Sequence, residues 1–424
     1  MAEAPSNPAA WSGKCAVLFD AEWGGYTNDK NWEGNMKRIM SLSVLLGGFL
    51  LLPGAAAAEG VDELPSDIQE RLYSKDILDP MQPIGPSAYR DWKAKNPPPW
   101  TIGYASSYAG NTWRAGVMDR ITKELIAKWK KLGLLKEIVI TQSNLKDSLQ
   151  IQQMRQLVDR GVDALIVCCS NPTALNQTVK YAFDRGIPTF SFVGYLTSPY
   201  SINSSSNYQQ AGFLMGSQMA DEIGGKGNVL VVEGIPGTSG SDSQDRGIKA
   251  GLAAHPDIKI VGSIAGMWTD QVAQAEVQKW LATHPGKLDG IIVQSAAEMG
   301  VLRALQQSGR EMVPVSIGGE LGAICYWRKN IDYLKGAYHV WPPGDDFELI
   351  WDIMMRTLQG QGPKLQTVFA DAIPYGPEDV KAMMGEDCDE NNKLWAHVGP
   401  DVWGSKEYLD NFFLRPADPE KYKP

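Results

Sequence analysis

Residues 100–116 read WTIGYASSYAGNTWRAG and decide the fold, because they run from a strand through a polar loop into a helix. The prolines at 97–99 end the preceding segment, since proline fixes φ and offers no amide donor. Residues 101–105 form an apolar run typical of a buried strand, and the polar loop 106–111 follows it. A helix is predicted from Thr112, because apolar side chains then recur at helical spacing. Open α/β sheets bind ligands between a strand's carboxyl end and the next helix, so we predict the first ligand-contacting loop here.

The composition of the 424-residue chain is that of a globular protein and excludes some functions. Its length predicts about two or three domains, and its 43% hydrophobic and 21% charged residues are ordinary values. A formal net charge of -9 without a basic stripe argues against nucleic acid, because phosphate binding needs clustered Lys and Arg. The 5 cysteines lack CxxC spacing and the 4 histidines are scattered, so we expect no metal site and no cofactor.

Residues 36–58 have the three parts of a secretory signal peptide. A positive start at 36–38 precedes an apolar core at 42–52, and the small residues 53–58 supply a cleavage site. The apolar core is shorter than the about 20 residues that a transmembrane helix needs. We therefore predict a cleaved leader and no membrane span.

Such a leader belongs at a terminus, yet 35 residues precede it. The codons for residues 32–35 must read TGG-GAR-GGN-AAY, which places a purine-rich GGGARGG just before Met36. This arrangement is typical of a bacterial ribosome-binding site. We predict that Met36 is the true start and that residues 1–35 are a mis-started leader outside the mature protein. The alternative is an ordered N-terminal extension.

The mature chain is expected to begin near Glu59 in the periplasm. The cleavage site has no cysteine, so no lipid anchor is predicted. In an oxidising compartment Cys325 and Cys388 are candidates for a disulfide, while Cys168 and Cys169 lie at a predicted buried strand end.

Strands and helices alternate regularly after Trp100. In a first run we predict strands at 138–141, 164–168 and 189–193, and helices at 147–160 and 174–185. In a second run we predict strands at 228–232, 258–265, 290–293, 313–318 and 337–340, helices at 211–223, 244–254, 271–283, 298–307 and 346–359, and a last extended piece at 367–372. This alternation with short connections predicts an α/β fold with parallel, doubly wound sheets.

Three segments interrupt or flank this alternation. Residues 59–99 are rich in Pro, Asp and Lys and are predicted to form a surface extension. Residues 195–207, with their many serines, are predicted to cross between two lobes. Residues 376–424 are predicted to be irregular and to pack across a lobe surface.

Catalytic motifs are absent from the sequence, so no enzyme is predicted. The glycine-rich loop 234–240 lacks the Lys-Ser/Thr of a P-loop. Residues 237–241 lack the final glycine of a nucleophile elbow.

Polar and aromatic residues instead cluster at predicted strand ends in both runs. In the first run they are Ser107, Asn111, Trp113, Arg114 and Asn171. In the second run they are Asp242, Arg246, Trp268, Ser295 and Glu320. Planar amides and carboxylates hydrogen-bond paired hydroxyls, and an indole covers the C–H face of a sugar ring. The pattern predicts a cleft for a small hydroxylated ligand, with simple core packing as the alternative for each tryptophan.

From about Trp100 to Asp371 the chain resembles the type I periplasmic sugar-binding proteins of the ribose-binding branch. The matching stretches are 101–107 with Asn111, 171–173, 234–239 ending in Arg246 and Gly247, 283–285 and 302–306. The resemblance implies two similar doubly wound lobes joined by three hinge crossings, near 204–207, 340–341 and 367–371. It divides the chain into a first lobe (100–205 with 341–368) and a second lobe (206–340 with 369–375), flanked by extensions at 59–99 and 376–424.

The resemblance also implies roles for the candidate residues. Ser107, Asn111, Trp113 and Arg114 match first-lobe ligand contacts, with Asn171 beside them. Trp268 matches the stacking aromatic of the second lobe, Ser295 an amide contact and Glu320 a carboxylate contact. Arg246, or the polar run before it, stands for the family's arginine, on a loop that is two residues longer here.

Two departures from the family pattern bear on the ligand. Val193 and Gly194 replace an Asp-Arg pair of the family, and the glutamine of its third hinge falls at Val340. The resemblance therefore implies a different sugar, a polyol or another small hydroxylated compound rather than ribose.

The expected function is that of a monomeric periplasmic solute-binding protein that hands its ligand to the permease of an ABC importer. The alternative is the ligand-sensing domain of a sugar receptor coupled to a histidine kinase. The sensory half of a repressor shares the fold but is disfavoured, because the leader exports the chain and no helix-turn-helix is predicted.

Overall fold

The computed structural model describes residues 60–168, 171–338, 342–372, 374–397 and 404–423. The predicted leader 1–35, the signal peptide 36–58, Cys169 and the predicted crossing at 340–341 lie outside the described residues.

Strands and helices alternate along the described chain. The strands are β1 (Trp100–Ser106), β2 (Leu135–Gln142), β3 (Ala164–Val167), β4 (Thr189–Phe192), β5 (Ser201–Ser206), β6 (Lys226–Glu233), β7 (Asp257–Ala265), β8 (Gly290–Val293), β9 (Ala337–Tyr338), β10 (Thr367–Ala370) and β11 (Pro374–Tyr375). The helices are α1 (Ser66–Leu72), α2 (Thr112–Asp119), α3 (Ile126–Lys131), α4 (Asp147–Arg160), α5 (Asn176–Phe183), α6 (Tyr208–Glu222), α7 (Ser239–Ala253), α8 (Asp270–Thr283), α9 (Glu298–Ser308), α10 (Leu321–Lys329), α11 (Pro343–Leu358), α12 (Pro377–Met383) and α13 (Lys406–Asp410). The π-helical segment Arg120–Leu125 joins α2 to α3.

The first sheet consists of six parallel strands in the order β10-β5-β4-β3-β1-β2. β3, β4 and β5 are buried along their whole length, as parallel strands are when helices cover both faces of a sheet. Because the strands are parallel, the carboxyl ends of β1 and β4 lie at one edge, where Ser107 and Val193 follow them. This sheet and the helices on it form the first lobe.

The second sheet has three parallel strands in the order β7-β6-β8, and a parallel bridge adds Val315 beside β8. Its central strand alternates between two cores, since successive side chains of a strand point to opposite faces. Val229 and Val231 pack with α6 and α7, whereas Leu230 and Val232 pack with α8 and α9. This sheet and its helices form the second lobe.

Helices α6 and α7 pack so closely that glycine is required at their contact. A Cβ atom on Gly212 would lie 2.1 Å from the Gln244 carbonyl oxygen, and one on Gly247 would lie 2.0 Å from that of Gln209. The close pair fixes the amino end of α7, where Thr238 is the N-cap residue and its side chain accepts a hydrogen bond from the Ser241 amide.

The serine-rich segment 195–207 is not simply a crossing between lobes, as the sequence predicted. Its second half is strand β5, which lies buried between β4 and β10. One of its buried polar side chains, Asn203, is hydrogen-bonded inside the protein: it accepts a hydrogen bond from the Ser191 hydroxyl at 2.8 Å and donates one to the Leu196 carbonyl at 3.2 Å. The chain leaves the first sheet only after Ser206.

The N-terminal segment 60–99 is not a surface extension either. Leu64, Ile68 and Leu72 are buried in the core of the first lobe, and the Tyr73 hydroxyl donates a 2.8 Å hydrogen bond to the Thr367 carbonyl of β10. Apolar side chains at helical spacing on α1 explain this packing, although the surrounding composition is polar.

The C-terminal segment packs on both lobes and contains helices α12 and α13. Leu409, Phe412 and Phe413 join the core of the first lobe, whereas Val380 joins that of the second lobe. Residues 398–403 of this segment lie outside the described residues.

Cys325 and Cys388 form a disulfide that ties the C-terminal segment to α10, which confirms the predicted pairing. The Cys168 thiol is free and buried. Disulfides persist in oxidising compartments. In the described ranges, no helix combines the length and the apolar character that crossing a membrane requires.

Candidate ligand-binding cleft

A cavity lies where the carboxyl ends of the two sheets face each other, the place where α/β proteins bind ligands. Its described wall on the first lobe consists of Ser107, Tyr108, Arg114, Leu145, Val193 and Gly194. Its wall on the second lobe consists of Ile235, Thr238, Gly240 and Trp268. Residues from both runs of strands and helices therefore meet at one site.

The two walls touch directly through the loop that follows β1. Asn111 caps α2 by accepting a 2.9 Å hydrogen bond from the Arg114 amide, and its Nδ2 donates to the Trp268 carbonyl at 3.2 Å. The hydroxyl groups of Tyr108 and Thr269 lie 3.2 Å apart. The lobes are thus closed onto each other at this edge of the cavity.

Arg114 is the charged residue of the described cavity wall, and it is only 7% exposed. Its guanidinium carbon lies 4.9 Å from the ring centre of Trp113 and 5.8 Å from that of Phe192. The Trp113 ring stacks on Phe192 within the hydrophobic core. The structure therefore places Trp113 beneath Arg114 and not on the cavity wall.

The guanidinium of Arg114 lacks a charged partner within the described chain. No carboxylate there forms a salt bridge with it, and its buried Nη1 has no hydrogen-bond partner. The flanking rings contribute about 2 kcal/mol through cation–π contact. That is less than the several kcal/mol that burying an ion costs.

The buried groups near Arg114 do not neutralise it. Burial raises the pKa of Asp346 to about 8, although the positive charge of Arg114 opposes this rise. The carboxyl group is therefore largely protonated at neutral pH, and its Oδ1 has no hydrogen-bond partner in the described structure. Burial also raises the pKa of the Cys168 thiol, which stays neutral.

Trp268 is held on the opposite wall by its own backbone and by Gly234. Its Nε1 donates a 2.8 Å hydrogen bond to the Gln294 carbonyl. A Cβ atom on Gly234 would lie 2.1 Å from the indole, so only glycine fits there. Met267 and Trp268 have φ angles of 56° and 50°, a left-handed conformation that is costly for residues other than glycine and is concentrated at functional sites.

Ser295 and Glu320 lie in a buried acidic cluster with Glu298 and Asp270, apart from the described cavity wall. Glu320 is 1% exposed, and its carboxylate lies 3.3 Å from Nζ of Lys393, which also pairs with Asp270. Ser295 donates a 3.3 Å hydrogen bond to Glu298. Burial, reinforced by mutual repulsion, raises the pKa of Glu298 and of Glu320 to about 7.

Two further candidates make contacts within the protein. Asn171 accepts hydrogen bonds from the amides of Thr173 and Ala174 at 2.9 and 3.0 Å. Asp242 accepts one from the Gly237 amide at 2.9 Å. These contacts hold the turns before α5 and α7.

Arg246 pairs with Asp79 of the N-terminal segment. Asp79 also accepts a hydrogen bond from the Ser243 hydroxyl and one of 2.7 Å from the Tyr195 hydroxyl. Burial alone would raise the pKa of Asp79, but these hydrogen bonds and the charge of Arg246 lower it. Asp79 thus bridges the first lobe, through Tyr195, and the second lobe, through Ser243 and Arg246.

Of the sequence-predicted residues, the structure brings Ser107, Arg114 and Trp268 onto the cavity wall and Asn111 to its edge. The roles of all ten as ligand contacts stay predictions. Sequence reasoning missed the wall residues Tyr108, Leu145, Ile235, Thr238 and Gly240, although Tyr108, Ile235 and Thr238 lie in loops that directly follow strands.

Residues 102–362 match the family profile described as "Periplasmic binding protein domain", which is more than half of the chain. Together with the two parallel sheets and the cavity between them, this match shows that the chain belongs to the type I periplasmic sugar-binding proteins. The family consists of binding proteins, and this chain is a binding protein and not an enzyme. Membership places it outside the cytoplasm, in the periplasm or an equivalent compartment.

Individual relatives are more distant. A xylitol-binding protein from Mycolicibacterium smegmatis is 32% identical over 184 residues, which are 42% of this chain and 52% of that protein. The chain therefore spans about half the length of this relative. An ABC transporter solute-binding protein from Thermobispora bispora has a TM-score of 0.62 at 21% identity, covering 70% of this chain and 90% of its own. The fructose-binding periplasmic domain of a hybrid two-component system has a TM-score of 0.57 at 20% identity, covering 67% and 93%.

Proposed function

We propose that the chain captures a sugar, a polyol or a similar small hydroxylated ligand between its lobes and delivers it to the permease of an ABC importer. The observation that carries this proposal is the shared cavity, walled by Ser107 and Arg114 of the first lobe and by Trp268 of the second. A ligand that contacts both walls binds the closed form better than the open form, so binding shifts the population toward closure.

The chemistry of the wall suits a ligand with both hydroxyl groups and C–H faces. Ser107 and Tyr108 offer hydroxyls that donate and accept hydrogen bonds. The indole of Trp268, with Leu145 and Ile235 nearby, offers apolar surface. The xylitol-binding relative supports a polyol as one candidate class.

Closure and delivery follow from the contacts between the walls. The hydrogen bonds from Asn111 to the Trp268 carbonyl and between Tyr108 and Thr269 hold the closed form. We propose that the permease recognises this form, that the monomer is the active species, and that the predicted lobe boundaries and hinge crossings describe the moving parts. We also propose export through the signal peptide at 36–58, which N-terminal sequencing of the exported protein tests.

The second candidate function is ligand sensing. A fructose-binding periplasmic domain of a hybrid two-component system has the same fold, so the fold is compatible with both roles. Adding the loaded protein to a reconstituted ABC permease with its ATPase separates them: transport predicts a rise in ATP hydrolysis, and sensing predicts none.

A thermal-shift screen of sugars, polyols and small hydroxy acids tests ligand capture. A ligand at 100 times its dissociation constant stabilises the native state by about 2.7 kcal/mol, which raises the melting temperature by several degrees. If no hydroxylated compound raises it, the proposed function is wrong.

A further inference from the structure

The described cavity wall carries a positive charge and no negative charge. Among the described wall residues only Arg114 is charged, and the others are apolar, hydroxylic or glycine. Val193 and Gly194, which follow β4 on this wall, add no carboxylate. A neutral sugar therefore finds no acidic partner for its hydroxyl groups on this wall.

The positive charge of Arg114 is buried and not compensated by the described protein. Its Nη1 has no hydrogen-bond partner, and the buried Asp346, whose charge interacts with it, forms no salt bridge with it among the described residues. The acidic groups of the second lobe, Glu320 and Asp270, are already paired with Lys393. A buried cation without a counter-ion is strongly destabilising, so the closed cleft lacks one negative charge.

The backbone also contributes positive charge at the cavity, through the amino ends of two helices. Arg114 lies in the first turn of α2, whose N-cap residue is Asn111. The amino end of α7, capped by Thr238, lies on the opposite wall. The amino ends of helices carry a partial positive charge and bind anions.

The geometry points to a hydroxylated monocarboxylate, such as an aldonic acid, as the ligand, with its carboxylate on the guanidinium of Arg114 and its hydroxyl-bearing carbons against Trp268. This inference rests on the proposed function and narrows its ligand class. Arg114 carries the specificity, because a planar guanidinium binds a carboxylate through two parallel hydrogen bonds.

Isothermal titration with matched pairs tests the inference. Xylonate and xylitol, and gluconate and glucitol, differ only in whether one terminal carbon is a carboxylate or a primary alcohol. For the wild-type chain we expect each acid to bind at least about 10-fold more tightly than its alcohol, since charge-assisted hydrogen bonds are about twice as strong as neutral ones.

Variants then assign the preference to one side chain. Arg114→Gln should bring the ratio of the two affinities to about one, and Arg114→Lys should keep part of the preference, because it keeps the charge and loses the paired geometry. Arg155→Gln is the matched control: Arg155 is exposed on α4 of the same lobe and lies over Tyr181. Its ratio should equal that of the wild type.

The outcomes separate the inference from the proposed function. Equal or tighter binding of the alcohols by the wild type overturns the inference and leaves the proposed function in place. A preference for acids that persists in Arg114→Gln also overturns it, because another group would then bind the anion. If neither class binds, the inference is overturned, and the thermal-shift screen of the other sugars and polyols decides the proposed function. If Arg114→Gln does not fold, the test uses the ratio of acid to alcohol affinity in the wild type and in Arg114→Lys. An unchanged ratio in Arg114→Lys then overturns the inference.

Discussion

The two lobes each bury a charged group, but among the described residues only the second lobe gives that group a partner of opposite charge. On the second lobe Glu320 is 1% exposed and has a lysine partner, Lys393, at 3.3 Å. On the first lobe Arg114 is 7% exposed and forms no salt bridge in the described part of the chain. A charge that the protein neutralises itself serves the fold, whereas a charge left unbalanced beside a cavity is available to a ligand.

The difference originates in the C-terminal segment. Residues 392–396 run beside the start of α10, where the Leu321 amide donates to the Leu394 carbonyl and the Ala396 amide donates to that of Gly319, at 2.9 and 2.8 Å. This pairing delivers Lys393 to Glu320. It also brings Trp395 to the first lobe, where its Nε1 donates to the Thr112 hydroxyl at 3.1 Å. Glu320, whose carboxylate the resemblance assigns to the ligand, is therefore paired with a lysine of the protein itself.

The largest effect is expected from removing the disulfide that anchors this segment. Cys325→Ala with Cys388→Ala should lower the free energy of unfolding by about 3 kcal/mol, since a cross-link restricts the unfolded chain. Chemical denaturation measures the change. The wild type under strong reductant should show the same loss and the double variant no further loss. A double variant as stable as the wild type would contradict the anchoring role.

The next effect concerns the second lobe, where Lys393 pairs with the buried Glu320. Lys393→Met leaves Glu320 and Asp270 buried without a cation, and we expect a loss of about 2 kcal/mol, discounted because Lys393 is 38% exposed. Adding Glu320→Gln should restore part of the loss. Lys381→Met is the control, because Lys381 pairs with the exposed Glu378 and should change stability by less than about 0.5 kcal/mol. Equal losses of stability in the two lysine variants would show that the buried acidic cluster depends on its lysine no more than an exposed ion pair does.

A smaller effect is expected where the two lobes meet. Trp268→Ala should weaken binding of the compound found in the thermal-shift screen by about 10-fold, or 1.4 kcal/mol, while the second lobe stays folded. Trp280→Ala is the control. Trp280 lies on α8, stacks on His284 and is absent from the described cavity wall. Titration calorimetry measures both. Unchanged affinity in Trp268→Ala would make Trp268 a packing residue only.

A further prediction is a pH dependence of stability on the first lobe, where Asp346 lies buried near Arg114. Burial raises the pKa of Asp346 from 3.8 to about 8. Between these values the unfolded chain loses the proton and the native chain keeps it, so stability falls as pH rises. Asp346→Asn should match the wild type near pH 4 and lose less stability than the wild type as the pH rises to 8. Arg114 and Asp345 act on the same carboxyl group. Identical pH profiles of the two proteins would contradict the raised pKa.

The sequence predicted the regular parts of the fold because they obey simple periodicity. Helix Asp147–Arg160 has the predicted bounds, and the apolar strand β1 and the helix that begins at Thr112 lie where the pattern places them. Strand β5 was not predicted, because its buried side chains are mostly serine and asparagine. The hydrogen-bond partners of such side chains cannot be inferred from composition.

The candidate site was predicted in part, for a similar reason. Strand ends identify Ser107, Arg114 and Trp268, because parallel strands bring their carboxyl ends to one edge. The pairs Asp79 with Arg246 and Lys393 with Glu320 join distant segments of the chain. Nothing local in the sequence signals such pairs. Periodicity also cannot tell a wall tryptophan from a core one, so Trp113 and Trp268 looked equivalent.

The most direct test of the account is a crystal structure of the chain with the most tightly bound compound from the titrations. The deciding quantity is the distance from the guanidinium nitrogens of Arg114 to the nearest ligand oxygen. We expect a hydrogen-bonded distance of about 3 Å, with the ligand lying between Arg114 and Trp268. A ligand bound by Glu320 and Lys393, with no oxygen within about 4 Å of Arg114, would contradict the account.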